Sequence, residues 1–259
     1  MGSVFSNSHI LKGFIARDIK GRFAGTIGGI SWALINPVVS LVIYYYIFSL
    51  VLRIPITREE TGTDSFFIFF LTGFFPWIIL SESLSKSVGI LVDNANLITK
   101  VVFPIQFLHA GSILSTLLIH SAGLVLFLFF LISKGYLHPA WLYIPVVMIL
   151  QMFFIWGLSF FLSSLCVFFR DTRELFGIFL MVWFYATPII YPAHMIPENL
   201  TVFLTMNPMT TFVDLYRQII LLHEMEWHSL FQALLFSGAA YLSGLFFFVK
   251  TRPAFGDVL

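Results

Sequence analysis

The chain has 259 residues, 59% of them hydrophobic and 10% charged, with a mean hydropathy of +0.94. A water-soluble domain carries roughly 25% charged residues, so there is too little polar surface here to cover a soluble fold and the bilayer must be the solvent. A net charge of +1 says nothing about partners, and one cysteine, Cys166, excludes an intrachain disulfide framework or a cysteine-rich metal site.

The opening segment, Met1 to Arg22, has no apolar core followed by a small-residue cleavage site, so no removed signal peptide is expected. Over about 9–23, Ile10, Leu11, Phe14, Ile15, Ile19 and Phe23 recur with a mostly helical period among Lys12, Arg17, Asp18, Lys20 and Arg22. This predicts an amphipathic helix on the cytoplasmic surface; a plain basic flank to the first membrane helix is the simpler alternative.

Six runs free of Asp, Glu, Lys and Arg follow: Phe23–Leu52, Ser65–Ser81, Val101–Ser133, Gly135–Phe169, Leu175–Pro197 and Trp227–Val249. A spanning helix takes about 17 to 25 apolar residues, and the runs do not alternate as barrel strands would. The prediction is a single all-α membrane domain over 1–259, with crossings at about 30–52, 65–82, 105–133, 141–169, 175–192 and 228–249. With the N-terminus inside, the cytoplasmic side receives Lys12, Arg17, Lys20, Arg22, Lys86, Lys100, Arg170, Arg173, Lys250 and Arg252, and the outer side only Arg53, Arg58, Lys134 and Arg217. Both termini are therefore expected in the cytoplasm.

Between crossings, Glu82–Lys100 mixes Lys86, Asp93, Asn94 and Asn96 with Leu84, Val88, Leu91, Val92 and Leu97, and predicts a second interfacial helix packed on the membrane or a soluble partner. Pro104 suits the start of the third crossing. The short link Lys134–Ala140 makes the third and fourth crossings an antiparallel hairpin. The second and fifth are short and contain Pro76 and Pro188. Ile189–Glu226 is too apolar for a solvated loop, which predicts short helices dipping into the outer leaflet. They read equally as an external gate or a structural cap.

No phosphate loop of the form G-x-x-x-x-G-K-[ST] occurs, so any ATP hydrolysis is expected from another polypeptide. No Asp, Glu, Lys or Arg lies inside a predicted crossing, which weakens an ion-coupled mechanism. His109 and His120 fall in the third crossing, where a hydrogen bond to a neighbouring helix is the simpler role. Arg170, Asp171, Arg173 and Glu174 are expected to pair with one another at helical spacing and end the fourth crossing, not to catalyse. Aromatics make up 18% of the chain. Tyr44, Tyr45, Phe48, Phe74, Trp77, Trp183 and Tyr185 read either as interfacial belts or as a channel lining on which sugar rings stack.

Three stretches point to one family. The first is Arg17-Asp18-Ile19-Lys20-Gly21-Arg22-Phe23-Ala24-Gly25-Thr26, running on to Trp32 and Asn36-Pro37. The second is Thr72-Gly73-Phe74-Phe75-Pro76-Trp77 with Asn94-Ala95-Asn96-Leu97-Ile98-Thr99-Lys100-Val101-Val102-Phe103-Pro104. The third is Phe169-Arg170-Asp171-Thr172-Arg173, then Thr187-Pro188-Ile189-Ile190-Tyr191-Pro192 and Asn207-Pro208. Together they resemble the membrane subunit of ABC-2 type exporters of polysaccharides, the group that moves O-antigen, capsule and teichoic acid chains.

The resemblance implies a homodimer of six-crossing subunits in the bacterial inner membrane, joined by two copies of a separate ABC ATPase. That partner would bind ATP and Mg, leaving this chain without a cofactor, an enzymatic role or a nucleic-acid partner. Arg17, Asp18, Lys20, Arg22, Lys86, Asp93, Asn94 and Lys100 would receive the ATPase stroke. Tyr191, Pro192, Asn207, Pro208 and Tyr216 would belong to the external gate. The implied substrate is an undecaprenyl-linked polysaccharide; a drug or small-lipid exporter of the same type and a non-transporting scaffold are the alternatives.

Overall fold

The computed structural model describes residues 8–22, 24–100, 104–197, 199 and 201–259. Phe23 and the Val101, Val102 and Phe103 of the second stretch lie outside the described residues. Among the described residues every regular element is helical, as an uninterrupted apolar chain in lipid requires to satisfy its own backbone. The helices are α1 (Ser8–Arg22), α2 (Trp32–Tyr45), α3 (Arg58–Thr61), α4 (Phe66–Val88), α5 (Ile90–Asp93), α6 (Ala95–Lys100), α7 (Gln106–Ser133), α8 (Ile144–Phe168), α9 (Thr172–Tyr185), α10 (Thr201–Met206), α11 (Pro208–Arg217), α12 (Trp227–Thr251) and α13 (Phe255–Val258). Two of them widen into π-helix at their ends, α2 over Tyr46–Leu52 and α11 over Gln218–Leu222.

Among the described residues, five helices are long and apolar enough to cross a membrane: α2 with its π extension, α4, α7, α8 and α12. The segment expected as the fifth crossing, 175–192, is different. Its helix α9 has 14 residues, a rise of about 21 Å against about 30 Å of hydrocarbon. It stops because Thr187 precedes Pro188, which disfavours continued helix, and the chain then turns toward α10 and α11.

The segment 82–100 also departs from expectation. Glu82 and Lys86 stay on α4, which runs unbroken to Val88 and ends at Gly89, and α5 and α6 follow as separate short helices. Leu84, Val88 and Leu91 are almost completely buried, so this stretch packs inward and does not lie as one helix on a membrane surface.

Directions are fixed by contacts along each pair. Phe67 of α4 meets Phe127 and Phe130 of α7, while Glu82 meets His120, so these helices are antiparallel. The α7–α8 link makes the expected antiparallel hairpin, with His109 bonded to Ser163 at 2.8 Å. By contrast α8 and α12 run parallel: Ser237 Oγ donates to the Leu150 carbonyl at 2.8 Å, and further along Phe160 stacks against Phe248. Between those contacts the two backbones touch, because a Cβ on Gly157 would overlap the Ala240 carbonyl and one on Gly244 would overlap the Gly157 carbonyl. Two parallel helices in sequence require the chain to return between them, and α9 to α11 make that return.

The main core forms around α4, where Phe66 to Leu71, Phe75, Trp77, Ile79 and Leu80 are buried against α7, α8 and α11. A smaller cluster, with Leu91, Leu108, Phe160, Phe248 and Phe255, closes the end that carries α1 and the C-terminus.

Candidate functional site

The end of the bundle that carries α1 is held by one network of charges. α1 lies directly on α7, close enough that a Cβ at Gly111 would come within 2.8 Å of the Phe14 Cβ. This places Asp18 to accept from the Ser115 hydroxyl and, at 3.3 Å, from Lys86 Nζ. Lys86 also reaches Thr116 Oγ1 at 3.4 Å and Glu82, one turn earlier on α4, at 3.4 Å. Glu82 in turn takes both ends of the Arg22 guanidinium and His120 Nε2, the latter at 2.6 Å. Bidentate guanidinium–carboxylate geometry of this kind is the strong form of the ion pair.

A second arm leads to α9. Arg17 donates to Asn94 Oδ1 at 3.3 Å, and Arg173 lies across Gly89 to hold Asp93 at 2.7 and 2.8 Å. A side chain at position 89 would fill the space of that guanidinium. The pairing with Asp93 raises the Arg173 guanidinium above its ordinary range, so the charge is permanent. Of the coupling residues expected from sequence, Arg17, Asp18, Arg22, Lys86, Asp93 and Asn94 are joined here; Lys20 and Lys100 are exposed at the margin. The expected pairing within Arg170–Glu174 is replaced at Arg173 by this longer link to Asp93, because Arg173 opens α9 and faces the loop after α4. Glu82 is the member that sequence reasoning left out, although the spacing Glu82–Lys86 is that of an i, i+4 pair, and His120 makes the hydrogen bond to a neighbouring helix that was expected of it.

Above the network, a cavity of about 220 Å³ lies between α2, α4 and α7. Arg22, Asn36, Glu82 and His120 line one end, and Leu41, Tyr44, Leu71, Phe74 and Phe75 the rest. It is an amphiphilic groove, polar at the inner end and aromatic beyond. Of the expected lining, Tyr44, Phe48 and Phe74 come together around Phe70, with Tyr44 edge-on to Phe74 at 5.4 Å and to Phe70 at 5.2 Å. Tyr45, the next residue along α2, is edge-on to Phe67 of α4. Trp77 is buried in the subunit, edge-on to Trp183 at 5.9 Å, and Tyr185 is exposed on α9.

At the opposite end, α10 and α11 are bound tightly to the turn after α9. Asn207 is the hub: its Oδ1 caps α11 at the Met209 N–H and accepts from Trp183 Nε1 at 2.8 Å, while its Nδ2 donates to the Ala186 carbonyl and Thr187. Pro208 occupies the first turn, where its missing donor is no loss. Tyr191 donates to the Tyr185 carbonyl at 2.7 Å, and Pro192 precedes a short 3₁₀ turn. Tyr216 is completely buried and donates to Gln151, which itself donates to the Pro76 carbonyl on α4. Arg217, expected on the outer side, is buried: it donates to the Pro188 and Ile189 carbonyls at 2.6 and 3.0 Å and lies 3.7 Å from the centre of the Phe69 ring.

The sequence profile described as ABC-2 type transporter matches residues 11–221, which takes in every element from α1 to the π turn after α11. The chain belongs to the ABC-2 type transporter family. It is also 30% identical over 247 residues to an O-antigen export system permease protein RfbA of Klebsiella pneumoniae, covering 94% of this chain and 92% of that one. An O-antigen export system permease protein RfbA of Myxococcus xanthus is 30% identical over 220 residues, 83% of this chain and 82% of that one. A polysialic acid transport protein KpsM of Escherichia coli is 26% identical over 215 residues, 79% of this chain and 78% of that one.

Proposed function

We propose that this chain is the permease subunit of an ATP-driven exporter that moves a lipid-linked polysaccharide of the O-antigen kind outward across the bacterial inner membrane. The observation that carries the proposal is the amphiphilic groove, with charge at the inner end and aromatic faces above it. A lipid-anchored glycan needs both: a polar berth for its head and ring faces on which sugars stack. The names of the relatives favour a polysaccharide over a drug or small lipid.

In this reading ATP and Mg belong to a separate ABC ATPase, two copies of which dock beneath a homodimer, and this chain performs no catalysis. Arg17, Asp18, Lys20, Arg22, Lys86, Asp93, Asn94 and Lys100 receive the stroke, because most of them already tie α1 to α4, α7 and the α5–α6 turn, or α5 to α9. Six crossings per subunit follow if α9 and the turn beyond it count as the return between the parallel α8 and α12, and both termini then face the cytoplasm. Tyr44, Tyr45, Phe48, Phe74, Trp77, Trp183 and Tyr185 serve the path, and Tyr191, Pro192, Asn207, Pro208 and Tyr216 its outer closure.

The test is export from cells lacking the chain and complemented with Tyr44→Ala/Phe74→Ala. Surface polysaccharide should fall at least about tenfold while the ATPase still co-purifies, as expected when stacking contacts worth about 0.5–1.5 kcal/mol each are lost. Unchanged surface glycan, or recovery of the chain without any ATPase in several mild detergents, would sink the proposal.

A further inference from the structure

A second cavity, of about 640 Å³, opens at the end of the bundle opposite α1, where α2 finishes, α4 begins and α7 finishes. Its size falls within the range of small-molecule sites. Arg53, Arg58 and Lys134 all line it, against the single carboxylate of Asp64. That carboxylate already accepts from the Arg58 backbone N–H at 3.1 Å. None of the three cations is among the ion pairs of the described residues. Three like charges in one concavity repel one another unless an anion joins them.

The cavity is built, not incidental. Arg53 is held in the left-handed region at φ 45° and anchors one N–H on the Leu50 carbonyl at 3.2 Å, which leaves the rest of its fork available. The floor is rigid: Thr63 is completely buried, accepts from Tyr136 at 2.8 Å and from the Ser65 N–H at 3.2 Å. The uncompensated positive field is felt by His223 on the same wall, whose pKa is lowered by burial, by His138 and by Arg58. On the remaining side Tyr45 and Phe48 present aromatic surface, and Tyr45 is 43% exposed.

We infer that this cavity binds the phosphate of a lipid, with Arg53, Arg58 and Lys134 around the headgroup and the acyl or prenyl chain along Tyr45 and Phe48. The depth fits, since the ends of three apolar helices lie where phosphates of a bilayer leaflet sit. Arginine forks match phosphate oxygens in a way that a solvated carboxylate-free surface of lysines would not. The apolar wall selects a lipid-borne phosphate over a free one. This assignment stands whether or not the exported substrate is a glycan.

The test is titration of the full chain in neutral detergent with dioleoyl phosphatidic acid, read by native mass spectrometry, beside dioleoylglycerol and inorganic phosphate. The chain should retain phosphatidic acid, and Arg53→Gln/Arg58→Gln/Lys134→Gln should weaken retention about a hundredfold, at about fivefold per basic residue. Neutralising Lys12, Lys250 and Arg252, at the other end, should leave it unchanged. Equal retention by the triple variant, equal retention of dioleoylglycerol, or displacement by an equal concentration of inorganic phosphate would each overturn the assignment.

Discussion

α2 and α4 are both continuous apolar spans, yet 78% of the apolar window in α4 is buried within the subunit and none of that in α2 is. α4 sits among α7, α8 and α11; α2 leans on the rest by one side, with Val39, Val42, Ile43 and Tyr46 facing outward. The difference teaches that hydropathy in a membrane chain reports which solvent a helix tolerates, not which neighbour it has. Lipid and a protein core look alike to an apolar side chain, so packing must come from small residues, close backbones and buried polar bonds. α9 belongs with α2, its Leu175, Ile178, Met181 and Val182 all exposed.

If the comparison is right, substitutions should sort by these contacts. The largest loss should come where backbone meets backbone: Gly157→Ala and Gly244→Ala force α8 from α12 and should destabilise by about 3 kcal/mol or more, the upper range of overpacking, read as unfolding in denaturing detergent. Next is Arg217→Met, which strands two buried carbonyls and vacates the face of Phe69; about 1.5–3 kcal/mol is expected for charge-assisted bonds, in the same assay. Wild-type stability in either variant would mean that the buried set is not what holds the subunit.

In the legibility of the fold, the two classes separate again. The long helices were readable because an apolar run of sufficient length has one solution in lipid. The end of α4 was not, because counting charges stops at Glu82 while the helix continues: Leu84 and Val88 keep their apolar stripe against the core and the charges emerge on the other face. The length of α9 was hidden for the opposite reason. Its apolar run continues to Pro197, and only Thr187-Pro188 marks the stop. The burial of Arg217 was not legible because formal charge carries no information about burial, and its partners are backbone carbonyls that no side-chain pattern reveals. In the site, the basic and acidic members of the inner clamp were legible as residue types near a helix end; their partners across 60 to 97 positions of sequence were not.

Smaller effects sharpen the contrast. Val42→Ala and Ile178→Ala should change subunit stability by no more than about 0.5 kcal/mol, as for surface sites. If these faces meet a second copy, the same variants should instead lower the dimer fraction in size-exclusion chromatography with light scattering. The smallest effect concerns pH. Burial, His138 and the Arg58 charge hold His223 below the usual histidine range, so the unfolded chain takes up the proton first as pH falls. The contribution is complete above about pH 6.5 and declines below it. Melting should therefore be lower at pH 5 than at pH 7.5, and the gap should narrow in Arg58→Gln, which removes one cause of the shift.

The contact between Gly157 and Gly244 has a mechanical meaning as well. Helices whose backbones touch have no side chains between them to yield, and they cannot slide without first coming apart. α8 and α12 thus behave as one stave, a stator against which other parts turn. Any rearrangement of the subunit would then be taken up by helices that no such seam restrains, such as α2 and α9.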